Sequence, residues 1–468
     1  MKHLYFNRIL KTAALLMCTA VFVAMAGTAY AEETNMRQTI NFNTDWLYSP
    51  NDYGNADLSD FNDSSFETVS IPHANNILEK HKGPNFQAQI DSYRFVSWYR
   101  RHFALPESYE AGKRVIVEFE GVATVADVYV NGEYIGEHKG AYTGFSYDIT
   151  DALKTDGSDN VIAVRVDSTK RSDVPPEGGS VDYCLFGGIV RDVNMIVTGA
   201  AYVDNTFITT PELAENEGAS STVKNVTEVI NKNNESKSYT VETIVKDADG
   251  KNVASCVSAA QTVEAGKKAT FTQNTEAITS PHLWNGLDDP YLYTVVTRVM
   301  DGDTCVDNYE TKIGFRWFEF RNGKKDPNDA SFYLNGKKTE LVGVNRHEQW
   351  PWIGRAVNNK YQMADADLIK ETGFNVVRCS HYPQDPSFLS RCDELGLMVF
   401  EEAPGWQYIG GEMWKELYVN NVEEMIIRDR NHASIISWGT RVNESLDDYE
   451  LCVAANTRAK SLDTTRPT

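Results

Sequence analysis

Asn443 and Glu444 follow closely on the apolar run Ile435–Trp438, which is too short for a helix and suits a buried strand. An amide and a carboxylate at the end of a strand can hydrogen-bond a polar ligand and move a proton. Taken alone, a glutamate in such a place is more often a helix cap or a solvated loop residue. Three earlier strand-like runs end in a similar way. Asn345, Arg346, His347 and Glu348 close the first, His381 follows the second, and Glu401 and Glu402 end the third. Singly, His347 reads as a satisfied histidine, Glu348 as a cap and His381 as a loop residue before a proline. Four consecutive strands ending in His, Glu or Asn favour the catalytic reading. Asn443-Glu444-Ser445 also spells a glycosylation sequon, a frequent chance match that competes weakly.

The elements that must position these groups alternate. "KYQMADADLIKETG", "PSFLSRCDELG", "MWKELYVNNVEEMIIRDRNH" and "DDYELCVAANTRAKSLD" read as helices between the strands "FNVVRC", "LMVFEEA" and "IISW". That order predicts βα units around a parallel sheet, the first half of a (β/α)8 TIM barrel over 316–468. In such a barrel the C-terminal strand ends converge on one mouth, where active sites sit. Upstream the grammar is β throughout. From 32 to 199, alternating runs and the Asn131-Gly132 hairpin signal predict a β jelly-roll sandwich. From 200 to 315, about seven short strands with turns at Asn233-Asn234 and Asp249-Gly250 predict an immunoglobulin-like β-sandwich that serves as a spacer. Asn335-Gly336 predicts one further hairpin before the barrel.

Lys2, Arg8 and Lys11 precede an apolar core, Ala13 to Ala26, and Ala29-Tyr30-Ala31 is a small-x-small cleavage site. Residues 1–31 therefore read as a secretory signal peptide, which predicts a secreted or periplasmic protein starting at Glu32. The remaining 437 residues carry 42 basic and 66 acidic side chains, a net charge near −24. Such a surface argues against nucleic acid and anionic membranes as partners. Six cysteines, at 184, 256, 305, 379, 392 and 452, are too scattered to form a disulfide framework. No zinc-type spacing occurs. The oligomeric state is open, a homo-oligomer included.

Longer motifs resemble glycoside hydrolase family 2, which includes β-galactosidases, β-glucuronidases and β-mannosidases. They are "GVNRHEQWPWIGRAV", "NVVRCSHYPQDPSFLSRCDELGLMVFEEAPG" and "RDRNHASIISWGTRVNES", with "WYRRHF", "VYVNGEYIGEHKGAYTGFSYDIT" and "DYCLFGGIVRDV" upstream. They run in the family's domain order. The resemblance implies that Glu444 is the catalytic acid/base and that Asn443 binds the sugar's 2-hydroxyl. It further implies that His347 and His381 line the substrate pocket, that Asp182 reaches into it from the jelly roll, and that Arg378 orients carboxylates. Burial near Trp438 is expected to keep Glu444 protonated. Asn345-Arg346 implies a β-galactoside rather than a β-glucuronide substrate. Where some relatives bind magnesium, Trp406 and Tyr408 stand instead, so neither a metal site nor any other cofactor is expected.

The family's retaining mechanism also needs a nucleophilic glutamate on the seventh strand, and no such residue is expected in this chain. A barrel takes roughly 250 residues, whereas 153 run from Arg316 to Thr468. The expectation is a partial barrel that is inactive by itself, with an open edge at "IISW" and a chain that trypsin trims back towards Arg316. Those rivals are a β-glucuronidase, a non-catalytic carbohydrate-binding protein, and a hydrolase recruiting Glu348 or Glu402 as its second carboxylate.

Overall fold

The computed structural model describes residues 37–75, 94–178, 181, 183–323, 327–351 and 353–468. The expected signal peptide and Asp182 lie outside the described residues. Two antiparallel sheets form the first sandwich. One has the order Gln38–Asn41, Val193–Thr198, Arg114–Phe119, Phe145–Asp148. The other places Val96–Phe103, Asn160–Asp167 and Val125–Val130 side by side at its centre. Alternation builds this core: in Val125–Val130 the side chains of Ala126, Val128 and Val130 are buried, with half-buried Asp127 and Tyr129 between. Asn131 and Gly132 turn the next hairpin with φ of 53° and 89°, the paired positive values of a two-residue turn.

The second sandwich packs Ala201–Thr209, Lys224–Asn231 and Lys268–Asn274 against a sheet centred on Lys237–Lys246 and Tyr293–Asp301. A short meander, Phe318–Phe320, Phe332–Leu334 and Lys337–Thr339, then leads into four parallel strands. These are β1 (Gly343–Arg346), β2 (Val376–Cys379), β3 (Met398–Glu402) and β4 (Ile435–Gly439), hydrogen-bonded in chain order. Between and after them run α1 (Asn359–Glu371), α2 (Pro386–Leu395), α3 (Glu412–Asp429) and α4 (Tyr449–Leu462). Their ends follow local chemistry. Asn358, Asp385 and Asp448 cap α1, α2 and α4 with side-chain oxygens, and Gly396 ends α2 at φ 78°. Trp414, Tyr418, Met425 and Ile426 of α3 are buried in one core with Val377, Val399 and Ile435 of the sheet. This is the start of a TIM barrel, and all four strands aim their C-terminal ends the same way.

The expected open edge at β4 is partly covered. Trp438 N donates to Pro467 O at 3.0 Å, and Arg466 donates through Nε to Ile435 O at 2.9 Å. The chain's last residues therefore occupy hydrogen-bonding groups that the strand would otherwise offer to solvent.

Candidate active site at the barrel mouth

Arg378, at the end of β2, organises the mouth. Its Nε donates to Glu402 Oε2 at 2.8 Å and its Nη2 to Asn443 Oδ1 at 2.9 Å. His381 Nδ1 meets Glu402 Oε1 at 2.8 Å, so both oxygens of this buried carboxylate are engaged. Three neighbouring strands thus converge on one hydrogen-bonded cluster. With its carbonyl taken by Arg378 and its Nδ2 lying 3.5 Å from His381 Nε2, the Asn443 amide has one N–H left for a ligand oxygen. His347 comes from the end of β1, with its ring 5.5 Å from that of His381.

Glu444 stands beside this cluster. It sits at φ 53°, a left-handed conformation uncommon for a residue with a side chain. Gln407 Nε2 donates to its Oε2 at 3.1 Å, and Gln407 N donates to Asn443 O at 2.7 Å. The loop after β3 therefore holds the loop after β4. The loop after β4, Asn443 and Glu444 included, lines an open hollow of about 730 Å³ with Arg378, Glu402 and Tyr449. The expected burial of Glu444 near Trp438 does not hold. Glu444 is exposed, while the Trp438 indole is fully buried and donates to Asp463 Oδ2 at 2.9 Å.

The other carboxylates are committed. Glu348 is fully buried and accepts from Arg191 Nη2 at 3.0 Å, Arg355 Nε at 3.1 Å and Gln362 Nε2 at 3.1 Å. Burial pushes its carboxyl up, but Arg191, Arg355 and Arg346 outweigh that and hold it down at about 2. Glu401 is buried with Asp429, and burial first, then Asp429, pushes it well above the usual carboxylate range against Arg428. Glu348 and Glu401 therefore have structural work. Glu402 lines the hollow but is bound to Arg378 and His381.

Of the pair Asn345-Arg346, which the resemblance ties to a β-galactoside, Asn345 is exposed, whereas Arg346 is buried and bonded to Asp365 at 2.7 Å and to Gln362 at 2.6 Å. It props α1 and does not face the hollow. Gln407, in the loop "EEAPGWQY", carries no strand-end or motif signal in the sequence, and its place is set by its bonds to Asn443 and Glu444. The first sandwich does reach the mouth, through residues beside Asp182. Tyr183 lies 5.4 Å from the His347 ring and 6.1 Å from the His381 ring.

Known proteins share the family domains and the fold. The family model "Glycosyl hydrolases family 2, TIM barrel domain" matches residues 327–468, "Glycosyl hydrolases family 2" matches 201–316, and "Glycosyl hydrolase 2 galactose-binding domain-like" matches 77–177. A β-galactosidase of Thermoanaerobacter pseudethanolicus is 44% identical over 92% of this chain and 55% of its own length. A β-glucuronidase of Bacteroides uniformis superposes with a TM-score of 0.80 at 30% identity, over 92% of this chain and 52% of its own. A calcium-binding mutant of Bacteroides uniformis β-glucuronidase 2 gives the same TM-score of 0.80, identity of 30% and coverage of 92% and 52%. The chain spans about half the length of the curated relatives it matches.

Proposed function

The chain belongs to glycoside hydrolase family 2, and from that premise we propose that it supplies the acid/base half of a retaining hydrolase of terminal β-galactosides. The observation that carries the reading is Glu444, an exposed carboxylate on the hollow whose Oε2 is held by Gln407. Its proton passes to the glycosidic oxygen as the bond from that oxygen to the anomeric carbon breaks. The Asn443 amide, turned by Arg378, donates to a sugar hydroxyl. The anomeric carbon must then be taken by a second carboxylate about 5–5.5 Å from the first. Glu402 is spent on Arg378 and His381, so no described residue is assigned that role. The chain alone is therefore expected not to turn over glycosides at a family-like rate.

The galactoside preference is supported by the 44% identical β-galactosidase. A β-glucuronide substrate is the second reading, favoured by the solved β-glucuronidases that superpose on the chain. One experiment addresses both. The chain is assayed on nitrophenyl β-galactoside and β-glucuronide by itself, and again when continued by the C-terminal part of the T. pseudethanolicus enzyme. Activity should appear only in the chimaera and favour the galactoside. Glu444→Gln should cut hydrolysis of poor leaving groups by about 10²–10⁴-fold, with azide restoring turnover of activated aryl glycosides. Unchanged hydrolysis in Glu444→Gln would remove Glu444 from the mechanism.

Export belongs to the same reading, on the strength of the basic start, apolar core and Ala29-Tyr30-Ala31. The secreted protein should begin at Glu32 on amino-terminal sequencing, and an intact Met1 would refute it.

A further inference from the structure

A cavity of about 290 Å³ lies where the second sandwich meets the barrel. The sandwich contributes Thr209, Thr210 and Ala214, and the barrel contributes His432 and Arg430, the residue that ends α3. Arg316 and Arg466 also line it. Among the described residues, no aspartate or glutamate does. The chain as a whole has the opposite balance, with 66 acidic side chains against 45 basic ones. Ala433 of the lining precedes β4, whereas Glu444 follows that strand. The cavity is therefore at the other end of β4 from the candidate active site.

Two of the four basic groups there already have a carboxylate. Arg466 donates through Nη1 to Asp463 Oδ2 at 2.7 Å, and His432 Nδ1 meets Asp393 Oδ2 at 2.6 Å. The other two do not. Arg316 donates to the carbonyls of Ala433 and Ile435, and Arg430 to Leu462 O and Asn205 Oδ1. Among the described residues, neither forms an ion pair. Arg316 Nη1 makes no hydrogen bond within the chain, and Arg430 Nε is a buried donor with no acceptor. Burial, then the charge of Arg466, pulls the Arg316 guanidinium down to about 9, and burial pulls Arg430 below its ordinary range. Both stay charged at neutral pH. Charges withdrawn from water are ordinarily paired, so two negative charges are missing here.

We propose that this cavity binds a doubly charged oxyanion of the phosphate or sulfate type between Arg316 and Arg430. A dianion matches the two unpaired guanidiniums in charge, which a single carboxylate would not. The planar fork of arginine suits the oxygens of such an ion, and its weak hydration lowers the cost of leaving water. The Thr209 and Thr210 hydroxyls make no hydrogen bond within the chain and are free to donate to further oxygens. At roughly 30 Å³ per water, the volume holds one such ion with several waters. Trp317 and Phe318 add apolar wall, which strengthens the attraction by excluding solvent. The bound ion would tie the second sandwich to the base of the barrel, at the strand ends where a barrel secures its stability.

The test reads binding and stability, not turnover, so its outcome is independent of the hydrolase reading. The full chain, dialysed free of phosphate and sulfate, is titrated with sodium phosphate by calorimetry while thermal unfolding is followed in parallel. One phosphate should bind per chain and raise Tm by about 1–2 °C or more at saturation. Sulfate should act alike, acetate more weakly, and chloride at equal ionic strength should leave Tm unmoved. Arg430→Gln should weaken phosphate binding at least tenfold, and Arg430→Lys, which keeps the charge, should weaken it less. Ala214, exposed at the cavity, offers a second variant. Ala214→Glu should bring a carboxylate to the arginines, raise Tm without phosphate and blunt the response to it. Absence of phosphate binding, or an equal rise in Tm with chloride, would overturn the proposal. So would phosphate affinity unchanged in both Arg430→Gln and Ala214→Glu. If Arg430→Gln does not fold, Ala214→Glu decides alone, and binding as tight as in the wild type refutes the site.

Discussion

Glu348 shows how far a residue's type can mislead about its work. It ends a barrel strand in a family motif and invited a catalytic reading, yet both its oxygens serve buried donors. Only long-range packing reveals this, because Arg191 lies 157 residues away in the chain. Its folded pKa of about 2 lies below the ordinary 4.5, so the stability it contributes is fully present above about pH 4.5 and is lost as pH falls towards 2. Glu348→Gln should cost about 3–5 kcal/mol at pH 7, since two arginines are left buried without a counter-charge. Urea midpoints at pH 7, 4.5 and 3 check this: the gap between wild type and variant should shrink as pH falls. A gap that stays constant would mean the carboxylate is not ionised in the folded chain. Asn443, His347 and His381 could be placed at the mouth because each follows a patterned strand, and Arg378 through the family resemblance. Gln407 was not, because it lies in a loop whose position depends on Asn443.

The elements were more readable than the contacts between them. Asn-Gly pairs at 131–132 and 335–336 specify tight turns whatever surrounds them, and both turn where expected. Helices with a cap at one end and an apolar stripe fold where the pattern places them, as α2 does between Asp385 and Gly396. The fate of β4 could not be read, because its cover comes from side chains remote in sequence. Arg316 donates through Nε to Ala433 O at 2.5 Å and through Nη2 to Ile435 O at 2.8 Å. A guanidinium so placed cannot enter a trypsin specificity pocket without releasing the start of β4. Limited trypsin digestion of the native chain should therefore leave no fragment ending at Arg316, contrary to the trimming expected from sequence. Accumulation of that fragment, identified by mass spectrometry, would show that β4 detaches readily.

At the scale of the molecule, three folds share their cores' edges. Trp284 of the second sandwich is buried against the barrel and donates to Asp393 O at 2.8 Å. Trp414 of α3 reaches back to Glu177 O of the first sandwich at 2.8 Å. Arg355 of the barrel donates to Ala141 O at 3.0 Å, and its guanidinium lies 3.7 Å from the centre of the Tyr142 ring. The order of the folds could be read from composition and turn spacing, but these joins could not, since each pairs an ordinary core residue with a distant backbone oxygen. The buried Arg191–Glu348 pair carries a consequence for inheritance. A gene rearrangement that moved this barrel behind a different first sandwich would strand Glu348 with half its counter-charge. Such a hybrid would be selected against unless the new partner brought an arginine to the same place. The lineage of this barrel is thereby bound to that of the sandwich before it, and shuffling of modules should be rarer across this junction than across ordinary linkers.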